Sequence, residues 1–96
     1  MKPEGEGAFA QLVLSLHSAA WISLGKVSNP LTGKMEKDLA ATRQTIKVLE
    51  MLKEKTLGNL GEDESRLIAG CISTLQMGYF EEVGAEKSDG GARESS

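Results

Sequence analysis

The feature that most constrains this chain is a run of residues without charge, from Gly7 to Gly25. Apolar residues in the run recur at three- and four-residue steps, which is the period of an α-helix. They are Phe9, Leu12, Val13, Leu16, Ala20 and Leu24. Leu14, Trp21 and Ile22 add apolar surface on other sides of the helix, and a helix that is apolar nearly all round is usually buried. The run therefore predicts a first helix over about 8–25 that needs cover on most of its sides.

Two further helices follow from the signals at their ends. Asp38 is a good N-cap because its carboxylate accepts hydrogen bonds from free backbone amides, and Gly58 is typical of the residue after a helix. These signals predict a second helix over about 39–57. The acidic run 62–64 suits the start of a third helix, over about 62–83, because free amides stabilise negative charge there. Its apolar line consists of Ile68, Ile72, Leu75 and Tyr79, with Leu67 and Cys71 beside it.

These elements predict an all-α fold, a small antiparallel bundle of three helices in one domain over 8–83. Residues 1–7 contain two glycines and are expected to form a flexible N-terminus. Residues 84–96 contain glycine, serine and charge with no apolar side chain beyond alanine, so we expect a disordered tail.

Two glycines, Gly70 and Gly78, fall inside the third helix. Each costs about 1 kcal/mol there relative to alanine. Such a cost is easiest to understand if another helix approaches closely at that point, but it is also tolerable without such a reason.

A second stretch without charge, from Leu67 to Phe80, repeats the pattern of the first helix. Two such helices predict a second apolar surface, which a homo-oligomer covers most simply, and a dimer is favoured because closed twofold pairs are the commonest assembly. The alternative is a monomer whose serines and alanines are polar enough, and an unknown protein partner stays open. The candidate interface residues are Leu14, His17, Trp21, Cys71 and Leu75, although Trp21 suits core packing equally well.

The composition argues against nucleic acid and the membrane as partners, and against export from the cytoplasm. The net charge of −3 argues against nucleic acid, which needs a basic face. Polar residues interrupt the first helix and no basic cluster flanks it, which argues against a membrane. Cys71 is the only cysteine and Glu4 and Glu6 precede the first apolar run, so we expect no export signal and a reducing, cytoplasmic setting.

No catalytic, metal-binding or cofactor-binding residues are predicted. Gly33-Lys34 does not belong to a phosphate loop. That motif needs a glycine at position 28 and Ser or Thr at position 35, where this chain has Ser28 and Met35. His17 has no companion ligands, and a thiol such as Cys71 on an apolar face is usually inert. The chain is thus expected not to be an enzyme. An enzymatic alternative would have to assemble Asn29, Thr32, Lys34 and His17 across chains.

The loop between the first two helices holds a candidate binding segment, formed by Asn29, Pro30, Thr32, Gly33 and Lys34. Ordinary turn chemistry explains it as well, because Pro fixes φ, the Asn side chain bonds nearby amides and Gly accepts a positive φ. We favour the turn.

The chain contains, in order, Phe9, Leu12–Leu16, Ala19–Trp21, Leu24–Lys26, Asn29–Lys34, Thr45–Ile46, Leu49–Thr56 and Gly58–Leu60. Over about Phe9 to Phe80 these stretches resemble the bacterial family called domain of unknown function eighteen-forty-four. The resemblance implies a short helical protein and implies no activity. Gly61 departs from it where the family tends to have Thr or Ser as a cap, and Gly70, Gln76 and Gly78 replace bulkier or charged residues.

Taken together, the sequence favours a non-enzymatic cytoplasmic module for oligomerisation or protein interaction. The alternative is a binder of small molecules or lipids that uses an apolar cavity between helices, as bundles offer.

Overall fold

The computed structural model describes the backbone of residues 4–95 and the side chains of residues 7–86. It consists of three α-helices, α1 (Glu4–Ser23), α2 (Leu39–Lys55) and α3 (Glu62–Ser95), and the described residues form no strand. Each helix packs against the other two. The all-α prediction with three helices is confirmed.

The helix ends differ from the predicted ones in ways that local chemistry explains. α1 begins at Glu4, so residues 4–7 are helical where we expected flexibility, while residues 1–3 lie outside the described part of the chain. α1 ends at Ser23 and α2 at Lys55, each two residues early. Gly25 and Gly58 follow these ends with positive φ angles of 80° and 86°, which glycine adopts without strain.

α3 is longer than predicted, and the segment expected to be a disordered tail is helical as far as Ser95. Once a helix has been nucleated, each added residue contributes one hydrogen bond without the cost of a new nucleus, which offsets part of the cost of the glycines in this segment. An ion pair between Lys37 and Glu86 holds the first turn of this extension. Ser96 lies outside the described residues.

Two side chains start α2 and α3. The amide of Ala41 donates a hydrogen bond of 3.1 Å to Asp38 Oδ1, which confirms the predicted N-cap. Gly61 offers no side chain at the start of α3, but its amide donates to Glu64 Oε1 at 2.9 Å. A carboxylate that reaches back in this way is one half of a capping box, so α3 starts without the hydroxyl that Gly61 lacks.

The core lies between the three helices. Its buried apolar residues are Val13, Ala20, Leu24, Ile46, Leu49, Ile68, Cys71, Ile72 and Leu75. Thr42 is buried with them, and its hydroxyl lies 2.6 Å from Ser23 Oγ and donates to the Asp38 carbonyl. Hydrogen bonding of this kind offsets the desolvation of a buried hydroxyl and ties the end of α1 to the start of α2.

Two of the five predicted interface residues lie in the core and not on the surface. Cys71 and Leu75 belong to the core of the single chain and are covered by its own helices. The charge-free stretch of α3 turns these positions inward, since they lie one helical turn apart and on the side of Ile68 and Ile72.

Candidate functional site

One recess on the described surface lies between α1 and the connection that follows it. This recess, here called the Trp21 groove, has a volume of about 420 Å³ and opens to solvent. Its walls are His17, Ser18, Trp21, Ile22, Val27, Ser28 and Pro30. None of these is an acidic residue, a lysine or an arginine, so the groove suits an uncharged, apolar occupant.

An aromatic pair forms one wall of the Trp21 groove. The rings of His17 and Trp21 are stacked, with centroids 5.7 Å apart and planes 14° from parallel. The two residues are four positions apart in α1, which places their side chains one above the other on a helix. The predicted interface pair thus occupies one site.

On its other side Trp21 meets α3 at Gly78. A Cβ atom at Gly78 would lie 2.8 Å from Leu24 Cδ1 and 3.7 Å from the Trp21 ring, so any larger residue requires the Leu24 side chain to shift. Gly70 has open space within 4 Å of such an atom. The close approach predicted for these glycines is confirmed at Gly78, whereas Gly70 is tolerated without one.

The same indole borders a second groove, on the α3 side. This recess of about 360 Å³ is lined by Trp21, Lys26, Thr74, Met77, Gly78 and Glu81. Trp21 is therefore the shared wall of two recesses and is only partly covered by its own chain. A large aromatic in this position is typical of interface centres, where Trp is enriched.

The outward face of α1 continues this surface away from the connection. Leu12 and Leu14 are 47% and 48% exposed, and Leu14 lines a further shallow recess with Gln11, Ser15 and Ser18. Of the predicted interface residues, Leu14 is thus exposed, and His17 and Trp21 line the groove. Sequence reasoning did not single out the exposure of other apolar side chains, which include Val27, Leu31, Met77 and Phe80.

The candidate binding segment at Asn29–Lys34 is a turn closed by its own hydrogen bonds. The Asn29 amide donates to the Lys34 carbonyl and the Gly33 amide to the Asn29 carbonyl, both at 2.7 Å. Asn29 Oδ1 accepts from the Leu31 amide at 2.8 Å, and Gly33 has a φ of 72°. The predicted turn chemistry is confirmed, and the turn holds Leu31 at its tip with 93% of its surface exposed.

Four ion pairs bind the ends of the α1–α2 connection to α3. Lys26 Nζ lies 3.3 and 3.4 Å from carboxylates of Glu81 and Glu82, and Lys37 Nζ lies 2.7 and 3.3 Å from those of Glu82 and Glu86. Hydrogen bonds from Lys37 and then Lys26 lower the pKa of Glu82 below 4.5. Bonds to these glutamates raise the pKa of both lysines above 10.5.

Gly25 makes room for one of these bridges. A Cβ atom at Gly25 would lie 3.1 Å from Lys37 Cβ, so the lysine stem passes directly over the glycine on its way to Glu82. The connection that carries the groove wall and the Asn29 turn is thus fixed at both ends.

The other candidate groups for chemistry stay apart from this surface. Burial raises the pKa of the Cys71 thiol, which disfavours the reactive thiolate. Among the described residues, no three His, Cys, Asp or Glu side chains come together as metal ligands. None of the helices, over the described part of the chain, has the length and apolarity to cross a membrane.

One comparison with known proteins gives a match. The family described as domain of unknown function (DUF1844) matches residues 6–81, which is most of the chain. The chain belongs to this family. No curated protein and no solved structure matches it.

Proposed function

We propose that this member of the DUF1844 family is a non-enzymatic module of the cytoplasm that associates with a second copy of itself. One observation carries the proposal, which is that the outward face of α1 is exposed although the helix has no charge from Gly7 to Ser23. Leu12 and Leu14 lie on the two flanks of this face, with Gln11, Ser15 and Ser18 between them, and keep nearly half of their surface in water. An uncharged surface that exposes such leucines is where we expect an interaction, because exposed apolar area often marks such sites.

A second copy suits this face of α1 because the face carries no charged residue. In a twofold dimer the same patch meets itself, so a charged patch would bring like charges together near the axis. The face of α1 avoids that repulsion because it contains none. Met77 and Phe80 of α3 are exposed as well and add apolar area beyond Trp21, beside the paired charges of Lys26 and Glu81.

The cytoplasmic part of the proposal has its own support. Cys71 is the only cysteine and is a buried free thiol, which suits a reducing compartment. Its core position also leaves it unavailable for a disulfide between copies.

A second candidate function is the binding of a small apolar molecule in the Trp21 groove. Its volume of about 420 Å³ lies within the usual range of ligand sites, about 300–1,000 Å³, and its walls are mainly aromatic and aliphatic, with Ser18 and Ser28 as polar groups. The sequence suggested an apolar cavity between the helices as the alternative binding site. The Trp21 groove lies at the surface instead. A ligand would therefore be less enclosed than in a bundle core.

Native mass spectrometry and sedimentation of the detergent-free protein separate the two functions. We expect a dimer without extra mass, and Leu14→Glu should shift it to monomer because a carboxylate would be desolvated at the contact. The matched control is Met51→Glu on α2, which is 44% exposed and should leave the dimer intact. A monomer at high protein concentration contradicts self-association, and retained small-molecule mass favours the second function.

A further inference from the structure

We infer that Leu31 of one copy docks into the Trp21 groove of a second copy, and that the exchange is reciprocal. The inference rests on the proposed self-association and names the contact that gives it specificity. It combines two features of the described surface, an apolar side chain that projects into solvent and a largely apolar groove that opens to solvent beside it.

The projecting feature is Leu31. With 93% of its surface exposed, it makes almost no contact with its own chain. Its backbone is nevertheless held in place, since its amide donates to Asn29 Oδ1 at 2.8 Å inside the closed turn. Asn29 is fixed in turn, because its Nδ2 donates to Glu36 Oε1 at 2.7 Å. The turn is ordered before any partner arrives, which reduces the entropy lost on binding.

The receiving feature is the Trp21 groove, and it begins beside the projecting one. Pro30 is a wall of the groove and the neighbour of Leu31 in sequence. Leu31 cannot fill its own groove while it projects into solvent. A twofold axis that passes close to Pro30 brings each Leu31 over the groove of the other copy, because an isologous contact pairs residue i with j and j with i.

The charges around the turn are compatible with this pairing. Lys26 and Lys37 are engaged by α3, and Asp38 caps α2. The turn also presents two charges of opposite sign, Lys34 and Glu36, the latter bound to Asn29 within its own chain. A twofold axis that places Lys34 of one copy beside Glu36 of the other would make the rim attractive for a second copy of this chain.

The first test is the variant Leu31→Asp in the full chain, with the dimer dissociation constant measured by sedimentation equilibrium. Loss of a buried anchor residue should raise that constant at least about tenfold. The matched control is Leu57→Asp, since Leu57 is also an exposed loop leucine, 77% exposed, at the α2–α3 connection. It should leave the constant unchanged. Circular dichroism of both variants checks that the helices are retained.

The second test is complementation between two defective copies. Ser28→Arg narrows the groove from an exposed position, and it should weaken the dimer as Leu31→Asp does. A mixed dimer of the two variants retains one intact contact, because one copy has the leucine and the other has the groove. We expect the mixture to associate at least about fivefold more tightly than either variant alone, beyond the twofold effect of mixing statistics.

The outcomes separate this inference from the proposed function. If Leu31→Asp weakens the dimer no more than Leu57→Asp, or if the mixture gains nothing, the exchange is wrong while self-association stands. If the unchanged protein is a monomer at all concentrations, both are wrong.

Discussion

Gly70 and Gly78 are two glycines of one helix, eight positions apart, and the sequence offers the same argument for both. At Gly78 the side chain of Leu24 fills the space that a Cβ atom would take, and the Trp21 ring lies just beyond it. At Gly70 that space is open. The comparison teaches that a glycine inside a helix marks a contact only where a neighbouring helix has something to place there.

The contact at Gly78 also positions the candidate site. It lets the end of α1 sit against α3, and Trp21 then forms the wall between the two grooves. From that point the connection leaves α1 and is held to α3 by Lys26 and Lys37. The candidate surface thus lies at the Gly78 end of the helix, whereas Gly70 contributes only exposed backbone.

The largest expected effect breaks the contact itself. Gly78→Val should lower the free energy of unfolding by about 2 kcal/mol, because a branched side chain overpacks against the fully buried Leu24. Gly70→Val should change it by less than about 0.5 kcal/mol, since the site is open. Urea denaturation of both variants measures the difference. Equal effects at the two positions would contradict the comparison.

Alanine substitutions at the two glycines test the same comparison with a smaller expected effect, which at Gly70 is stabilising. Gly70→Ala should raise the free energy of unfolding by about 0.5–1 kcal/mol, because alanine restricts the unfolded chain and meets nothing in the helix. Gly78→Ala has the same propensity gain but adds a methyl group 2.8 Å from Leu24 Cδ1. Thermal unfolding should therefore show a higher midpoint for the Gly70 variant only. A stabilised Gly78 variant would mean that Leu24 moves aside freely.

The smallest effect concerns the charges beyond Gly78. Lys37→Met should lower the melting temperature slightly at neutral pH, and added salt should reduce the difference, because exposed ion pairs contribute little and are screened. Arg66→Met is the control, since its partner Glu62 lies in the same helix and the pair joins no two elements.

The pH dependence of that effect has a defined sign. The pKa of Glu82 is lowered in the folded chain, so its contribution is present above 4.5 and is lost as the pH falls through the lowered value. The pKa of Lys37 is raised, so its contribution is present below 10.5 and is lost as the pH rises through the raised value. The difference between Lys37→Met and the unchanged chain should therefore vanish in strong acid. A difference that persists there would assign it to packing of the lysine stem.

The parts of the fold that depend on near neighbours in sequence were predictable. Asp38 caps α2, and the glycines expected to end helices or close the turn, Gly25, Gly33 and Gly58, all have positive φ. Each of these features needs only a few adjacent residues and their backbone chemistry. The start of α3 at Glu62 was predictable for the same reason.

The parts of the fold that depend on how the helices are rotated against one another could not be predicted from the sequence. Cys71 and Leu75 were assigned to an interface although they lie in the core, because periodicity gives a face and not its partner. The exposure of Leu31 likewise depends on the path of the turn. The continuation of α3 beyond residue 83 was missed because composition describes a segment alone, whereas this one is attached to a packed helix.

The place of Trp21 has an optical consequence. It is the only tryptophan of the chain, it is partly open to water, and it forms the wall between two recesses. Indole emission moves to shorter wavelengths when water leaves the ring. The unlabelled protein therefore carries a fluorophore whose colour reports whether anything, a second copy or a small molecule, has covered that wall.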